Sequence, residues 1–483
     1  MKKVAIIGAG MMTKPIADYL METCNYQVIM ADQEVSKAKN VIKDRPLGKA
    51  VSLVVRDSYD LDPLVKEVDI VISMLPRPLH IHAAKSCLRQ GKSMLTTSYE
   101  PPEVLELADA AKKKGILFLN EMGEDPGIDH FGTQLLLDET RKEGGKAVDI
   151  KSYGCGVPAF EHNNNPMDYK FSWNPGAFFS AARTGAAYYV KGKRVEVPPD
   201  QLFKHFRLVD IDGIGTFETY PNRDCKKYLE PFALPEDVSY YRGLLRYPGY
   251  CNNMRYLGEI GLFDTKEIKN FKNVTYRQFT TSLLIPGKSL QKKQTFEMTP
   301  LKNDIRLTVN GLGVPPPSLL GTYPEKIKGK IEEKLAEYLN LDIDADFIHR
   351  LKWLGFFQDT PIKIKKGTRL DVLAERMLEK MSYKPHEKDM IIVHIEIIAQ
   401  FPGKPKEKRM ATMIKAGIPY GDSAMSRAVG LPAAIGARMI LEGQITASGA
   451  HMPPTLPNLY PLILEELTKF GFVFKKKTIP YLL

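Results

Sequence analysis

The sequence predicts an α/β protein whose N-terminal part is a doubly wound domain on a parallel sheet. Three observations carry this. Short apolar strands alternate with amphipathic helices from residue 3 to residue 120. The strands are near-continuous apolar runs, as a sheet covered on both faces requires. A glycine turn, Gly8-Ala9-Gly10, directly follows the first strand and opens the first helix.

Residues 3–8 (KVAIIG) read as the first strand, followed by a helix over about 13–23. YQVIMA (26–31) and 34–44 repeat the unit as strand and polar helix, and AVSLVV (50–55) is followed by a short helix over 60–67. DIVISML (69–75) precedes a helix over 78–90 with Ile81 and Leu88 on its apolar stripe. SMLTTS (93–98) precedes a helix over 101–114, and ILFLN (116–120) is the sixth strand. Six strands in this span make a complete dinucleotide-type domain. After residue 128 the character changes: strands such as AVDIKSYG (147–154) and KRVEVP (193–198) sit among loops rich in Asn, Pro and Gly. Residues 235–380 are mostly helical, with PEKIKGKIEEKLAEYLN (324–340) and TRLDVLAERMLEKMSY (368–383) as the clearest cases. DMIIVHIEIIAQFP (389–402) and KRMATMIKAG (408–417) read as a long hairpin. A small-residue helix covers 428–443, with Pro432 tolerable only near its first turn, and a last helix covers about 458–470.

At 483 residues the chain exceeds one hydrophobic core, so two or three domains are expected. The net charge is +11, but the basic residues are spread out, and the runs at 112–114, 363–367 and 475–477 carry no interleaved aromatics. That points to an anionic small molecule and not to a nucleic acid. Five scattered cysteines without a C-x-x-C pair predict a reducing, cytoplasmic setting. No stretch approaches the ~18 apolar residues of a membrane span, and the N-terminus lacks a signal-type apolar run. His80 and His82 stand two apart on a helix and cannot share a metal, and H-E-x-x-H is absent, so no metal site is expected.

The turn Gly8-Ala9-Gly10-Met11-Met12-Thr13 is the expected pyrophosphate site. Gly8 makes the tight turn, Gly10 admits the phosphates, and Thr13 replaces the third glycine. Asp32 lies 22 residues past Gly10 at the end of the second strand, where a carboxylate binds the ribose 2′-hydroxyl. Ala31-Asp32-Gln33 has no immediate arginine, which favours NAD over NADP, although Lys37 and Lys39 are near.

NEMGEDPGIDHFGTQ (120–134) leaves the last strand at the end where doubly wound folds bind ligands. It concentrates Glu121, Glu124, Asp125, Asp129 and His130. Asp125 followed by Pro126 reads as an N-cap and first helical residue, with apolar positions 128, 131 and 135 continuing one face. That leaves Gly127, Asp129 and His130 unexplained; His130 reads as a hydrogen-bonding residue on the helix face.

GEDPGIDH resembles the G-x-D-P-G-I-D-H signature of the saccharopine reductase family, the glutamate-forming saccharopine dehydrogenases. Further segments match in order: GAGMMTKPIADYL (8–20), SMLPRPLHIHAAKSC (73–87), TTSY (96–99) and YGCGVPAFEHNNNPMDYKFSW (153–173). TYPNRDCKKY (219–228), LLRYPGY (244–250), WLGFF (353–357), MSYKPHEKDMI (381–391), YGDSAMSRAVGLPAAIGARMILEGQI (420–445) and NLYPLILEEL (458–467) follow. The resemblance runs nearly end to end.

It implies a Rossmann domain completed by the C-terminal segment (1–127 plus about 425–483), a second α/β domain (128–230 plus about 381–424) and a helical insertion (about 231–380). It also implies a homodimer, assembled through the second domain's sheet. The implied reaction is reversible oxidation of saccharopine with NAD or NADP to L-glutamate and 2-aminoadipate 6-semialdehyde. The implied cofactor contacts extend from the glycine turn to Gln33, Leu75 and Pro76; Ser98, Trp173, Arg223 and Arg246 are implied at the substrate, and Tyr99, Asp125 and a cysteine at the chemistry. Hydride loss beside an amine, then hydrolysis of the imine, needs groups that exchange protons near neutral pH. Asp125 serves as a base or, the preferred role, stabilises the cationic iminium. Saccharopine is a tricarboxylate, and arginine forks suit carboxylates.

One position departs from the family. Its pattern Y-C-G-G-L-P has Cys directly after Tyr, whereas this chain reads Tyr153-Gly154-Cys155-Gly156. In an extended segment this turns the thiol to the other side; Cys155 is either the catalytic thiol or a small buried residue. Two further readings are a related amine–aldehyde condensing reductase, such as a carboxynorspermidine synthase, and a catalytically silent dinucleotide-binding protein. The arginine pair separates the first from a saccharopine enzyme; Tyr99 with Asp125 weighs against the second.

Overall fold

The computed structural model describes residues 1–173, 175–284, 298–301, 304–307 and 330–481. Six strands occupy the first 120 residues: β1 (Lys3–Ile7), β2 (Gln27–Asp32), β3 (Gly48–Ser52), β4 (Ile70–Ser73), β5 (Ser93–Thr96) and β6 (Leu117–Leu119). Next come β7 (Lys146–Pro158), β8 (Ala186–Val190), β9 (Lys193–Val197), β10 (Arg207–Ile211), β11 (Gly215–Pro221) and β12 (Ser239–Arg246). The later strands are β13 (Met298–Leu301), β14 (Asp304–Leu307), β15 (Asp389–Gln400), β16 (Glu407–Ala416), β17 (Gly449–His451) and β18 (Lys475–Pro480).

The first sheet runs β17-β6-β5-β4-β1-β2-β3 with every pair parallel. Strand order therefore reverses beside β1, which puts a crevice at the carboxyl ends of β1 and β4. Val4 and Ile6 face one core while Ala5 and Ile7 face another under the helix His80–Gln90. Both faces are covered, which is why these strands are apolar throughout. β17 completes the sheet from the C-terminal side, and the helix Ala424–Leu441 packs on the first helix. Their backbones come close there: a Cβ on Gly430 would stand 2.9 Å from the Met12 carbonyl oxygen.

The second sheet runs β10-β11-β12-β7-β15-β16-β18, with β8 paired to β12 and β9 to β8. Only the β12–β7 pair is parallel. The helix Ile128–Lys142 follows β6 and packs on β7 and β15, so it joins the two sheets. The helices Tyr250–Glu259, Tyr276–Leu283, Ile331–Leu339, Asp346–Leu354 and Arg369–Met381 pack on one another. Thr275 and Thr368 start two of them with capping boxes.

Several sequence expectations shift. The helix expected over 13–23 is α-helical to Asp18 and then widens into a π-turn over Tyr19–Thr23. The strand expected over 50–55 is Gly48–Ser52. β12 lies inside the span assigned to the helical insertion, because its backbone is claimed by β7 and β11. β18 pairs with β16, so the last strand belongs to the second sheet and not to the nucleotide domain. Pro432 sits in a helix interior, since capping by Ser423 and by the Asp389 carboxylate starts that helix at Ala424. Of the helix expected over 324–340, residues 331–339 form it and 324–329 lie outside the described residues.

Candidate active site

The glycine turn is built as its residues require. Gly8 has φ +103°, and a Cβ there would press within 2.6 Å of the Met74 carbonyl oxygen, next to Leu75 and Pro76 at the end of β4. A Cβ on Gly10 would meet nothing within 4 Å, so this backbone is open to close approach by a pyrophosphate. Met11 is exposed, Met12 is partly buried, and the Thr13 hydroxyl donates back to the Gly10 carbonyl at 2.8 Å. Asp32 accepts from the backbone N–H of Ala9 and of Glu34, both at 2.8 Å, while Gln33 points outward. Asp32 is thus a brace of the glycine turn as well as a group at the end of β2. The turn and its brace fit a dinucleotide.

Beyond β5, His80 lies between Ser73 (2.8 Å) and Ser98 (2.9 Å) and orients the Ser98 hydroxyl. Burial lowers the His80 imidazole to about 4, so it is neutral at pH 7. Tyr99 donates to Asp125 Oδ1 at 2.8 Å. Asn222, just past β11, donates to the Tyr99 hydroxyl and to Asp125 Oδ2, each at 3.1 Å. Arg242 on β12 donates from Nη2 to Asp125 Oδ1 and to Asp129 Oδ2, both at 2.6 Å. Burial raises the Tyr99 hydroxyl well above the ordinary range, with Asp125 adding to it, so Tyr99 holds its proton. Burial also pushes Asp129 upward, but Arg242 and His130 outweigh it and hold the carboxyl below its ordinary value.

Asp125 is therefore not the helix cap that its sequence position suggested. The helix begins at Ile128 after Gly127, whose N–H donates to Asp129. Asp125 is left free to face the second sheet. Glu121, fully buried, accepts from Tyr228 (3.0 Å), from the Glu100 backbone (3.1 Å) and from Lys227, and pairs with His130 Nε2 (2.9 Å). Burial opposes its charge, but His130 and Lys227 keep its carboxyl well below the usual range. Glu121, Asp125 and Asp129 thus take partners from 222–242 and tie the two sheets together.

Arg223 has φ +62°, stacks its guanidinium 5.4 Å from the Tyr99 ring centre and makes no ion pair among the described residues. Arg246 is buried among Tyr169, Tyr220 and Tyr250, and its Nε has no hydrogen-bond partner among the described residues. Trp173, expected as a donor to a ligand, instead donates its indole N–H to the Tyr169 hydroxyl at 2.8 Å and so belongs to the wall around Arg246. Cys155 is fully buried, and burial pushes its thiol up to about 12. Gly154 is the residue of β7 that faces Asp125; Cys155, the next along the strand, projects to the other face. The structure does not bring this thiol to Asp125.

Sequence reasoning missed Arg242 and Asn222. The signal was present: Arg242 and Arg246 are four apart in SYYRGLLR, on one face of an apolar strand, and a strand buries two cations only against partners. Among the described residues, no group of three or more His, Cys, Asp or Glu could hold a metal ion, and no helix is long and apolar enough to cross a membrane.

Comparison with known proteins agrees with this architecture. The family model "Saccharopine dehydrogenase NADP binding domain" matches residues 4–119, and "Saccharopine dehydrogenase C-terminal domain" matches 123–472. The chain is 30% identical to the NADP(+)-dependent, L-glutamate-forming saccharopine dehydrogenase of Schizosaccharomyces pombe and 31% identical to that of Pyricularia oryzae, each over 99% of both chains. A structure of apo saccharopine dehydrogenase (L-Glu forming) from Saccharomyces cerevisiae superposes with a TM-score of 0.82 at 28% identity, covering 99% of this chain and 100% of that one. The N-terminal domain is a nicotinamide-dinucleotide domain, and the chain belongs to the saccharopine dehydrogenase family.

Proposed function

We propose that this protein oxidises saccharopine reversibly to L-glutamate and 2-aminoadipate 6-semialdehyde in lysine metabolism, with NADP as its cofactor. One observation supports this above the rest. Two guanidinium groups without carboxylate partners among the described residues, Arg223 and Arg246, flank the Tyr99–Asp125–Arg242 cluster at the crevice. A polycarboxylate amine supplies the anions they lack. An amine–aldehyde reductase acting on a substrate with fewer carboxylates would leave one of them without an anion.

When bound, the nicotinamide takes the hydride from the carbon beside the secondary amine. The residues of this chain do the rest. Arg223 and Arg246 bind carboxylates and set the amine over Asp125. Asp125, held by Tyr99, Asn222 and Arg242, faces the positive charge that develops at nitrogen. Ser98, oriented by neutral His80, stands just past β5, beside Tyr99, on the nucleotide-domain side of the site.

Asp32 alone suggested NAD. NADP is preferred here because the relatives named above use it and because the Asp32 carboxylate already accepts two backbone N–H groups. The homodimer and a reducing, cytoplasmic location complete the proposal; every described cysteine is free.

The test is nicotinamide absorbance with purified protein, saccharopine and each cofactor. Reduction of NADP is expected, faster than that of NAD. No reduction of either by folded protein would reject the function, and faster reduction of NAD would reject the cofactor.

A further inference from the structure

Glu124 is the carboxyl of the 120s loop that no described cation pairs with. Its residue is 5% exposed. Its Oε1 is buried and has no hydrogen-bond partner among the described residues. An ionised carboxyl with an unpaired buried oxygen is costly, whereas a protonated one is tolerated. The groups facing it are Asp125 from its own loop, Asp129 from the following helix, and Arg242 and Arg246 from β12. Burial first, then the two aspartates, raises its carboxyl well above the usual range against the pull of both arginines.

Gly154 fixes where this carboxyl stands. A Cβ built on Gly154 would lie 3.1 Å from Oδ2 of Asp125 and 3.3 Å from Oε1 of Glu124. Both carboxyl groups therefore converge on one point above β7 and pack against the bare backbone of residue 154, where a side chain would crowd them. The position where this chain departs from the family's Tyr-Cys order and the variable position of its G-x-D-P-G-I-D-H signature meet in space. Asp125 accepts from Tyr99, Asn222 and Arg242, while Glu124 has no such donors among the described residues. Two neighbouring carboxyls in opposite environments suit a division into proton acceptor and proton donor.

We propose that Glu124 is a catalytic residue of this enzyme, giving a proton to the substrate nitrogen and recovering one during hydrolysis of the imine. The assignment rests on the saccharopine reading above. Water adds to the iminium carbon; a C–O bond forms, and the released proton goes to Asp125. Glu124 then gives its proton to the nitrogen of the carbinolamine. The C–N bond breaks as the hydroxyl proton passes to Glu124, which regains its starting state. The departing amine takes the proton held by Asp125 and leaves as the ammonium of glutamate.

Steady-state and single-turnover kinetics on the wild type, Glu124→Gln and Glu124→Ala test this. Glu124→Gln should lose about a hundredfold or more of steady-state turnover while keeping a first-turnover burst of nicotinamide reduction, because hydrolysis and not hydride transfer is hit. Added formate should restore turnover to Glu124→Ala, a result that a packing role does not produce. Quenching of protein fluorescence by the cofactor checks that each variant is folded. Near-wild-type turnover in folded Glu124→Gln, or loss of the burst together with turnover, would overturn the inference and leave the saccharopine reading standing. A folded wild type inert toward saccharopine would reject that reading itself.

Discussion

Arg242 holds Asp125 and Asp129 with one guanidinium nitrogen, at 2.6 Å to each carboxylate. The arginine comes from β12 of the second sheet; the aspartates come from the loop and helix that leave β6 of the first. A buried cation with two anions is stable only while all three are present. The same contact therefore joins the sheets and shapes the proposed site.

Removing that cation leaves two buried carboxylates facing each other. Arg242→Met should destabilise the protein by about 3–5 kcal/mol, read from urea unfolding. Arg242→Lys should recover only part of this, since an ammonium cannot reproduce the fork. Unchanged stability in Arg242→Met would show that the pair is not a clamp.

Asp125→Asn keeps the side-chain volume but removes the charge proposed to face the reacting nitrogen. Turnover should fall about a hundred- to thousandfold while cofactor affinity is preserved. The measurements are initial rates and a cofactor titration. Near-normal turnover would reduce Asp125 to a structural partner of Arg242.

Asp32→Ala removes the acceptor for the Ala9 and Glu34 N–H groups. It should weaken NADP and NAD together, because the glycine turn loses its brace. Fluorescence titration with both cofactors checks this. Retained NADP affinity with a changed NAD affinity would restore Asp32 as a ribose selector alone.

His80 supplies a pH signature. Its folded value, about 4, lies below the ordinary 6.5, so between these values the unfolded chain binds the extra proton. The stabilising contribution is fully present above pH 6.5 and is lost as pH falls toward 4, on the order of 3 kcal/mol across the window. His80→Gln should flatten this part of the stability–pH curve, followed by thermal unfolding in matched buffers. An unaltered slope would place the acid sensitivity elsewhere.

The sequence by itself determined the parallel sheet, the glycine turn and the position of Asp125, because these depend on apolar periodicity and on contacts close along the chain. The reach of Asp125–Pro126 as a helix start was misread for the same local reason: an Asp-Pro pair looks like a cap until a guanidinium 117 residues away claims the carboxylate. The fold decided which cations meet which anions. Arg242 was placed by strand register, β18 by pairing with a strand far earlier in the chain, and the thiol of Cys155 by the alternation of β7. Electrostatic partnership in a desolvated crevice depends on distances across sheets, which no spacing along a single chain encodes.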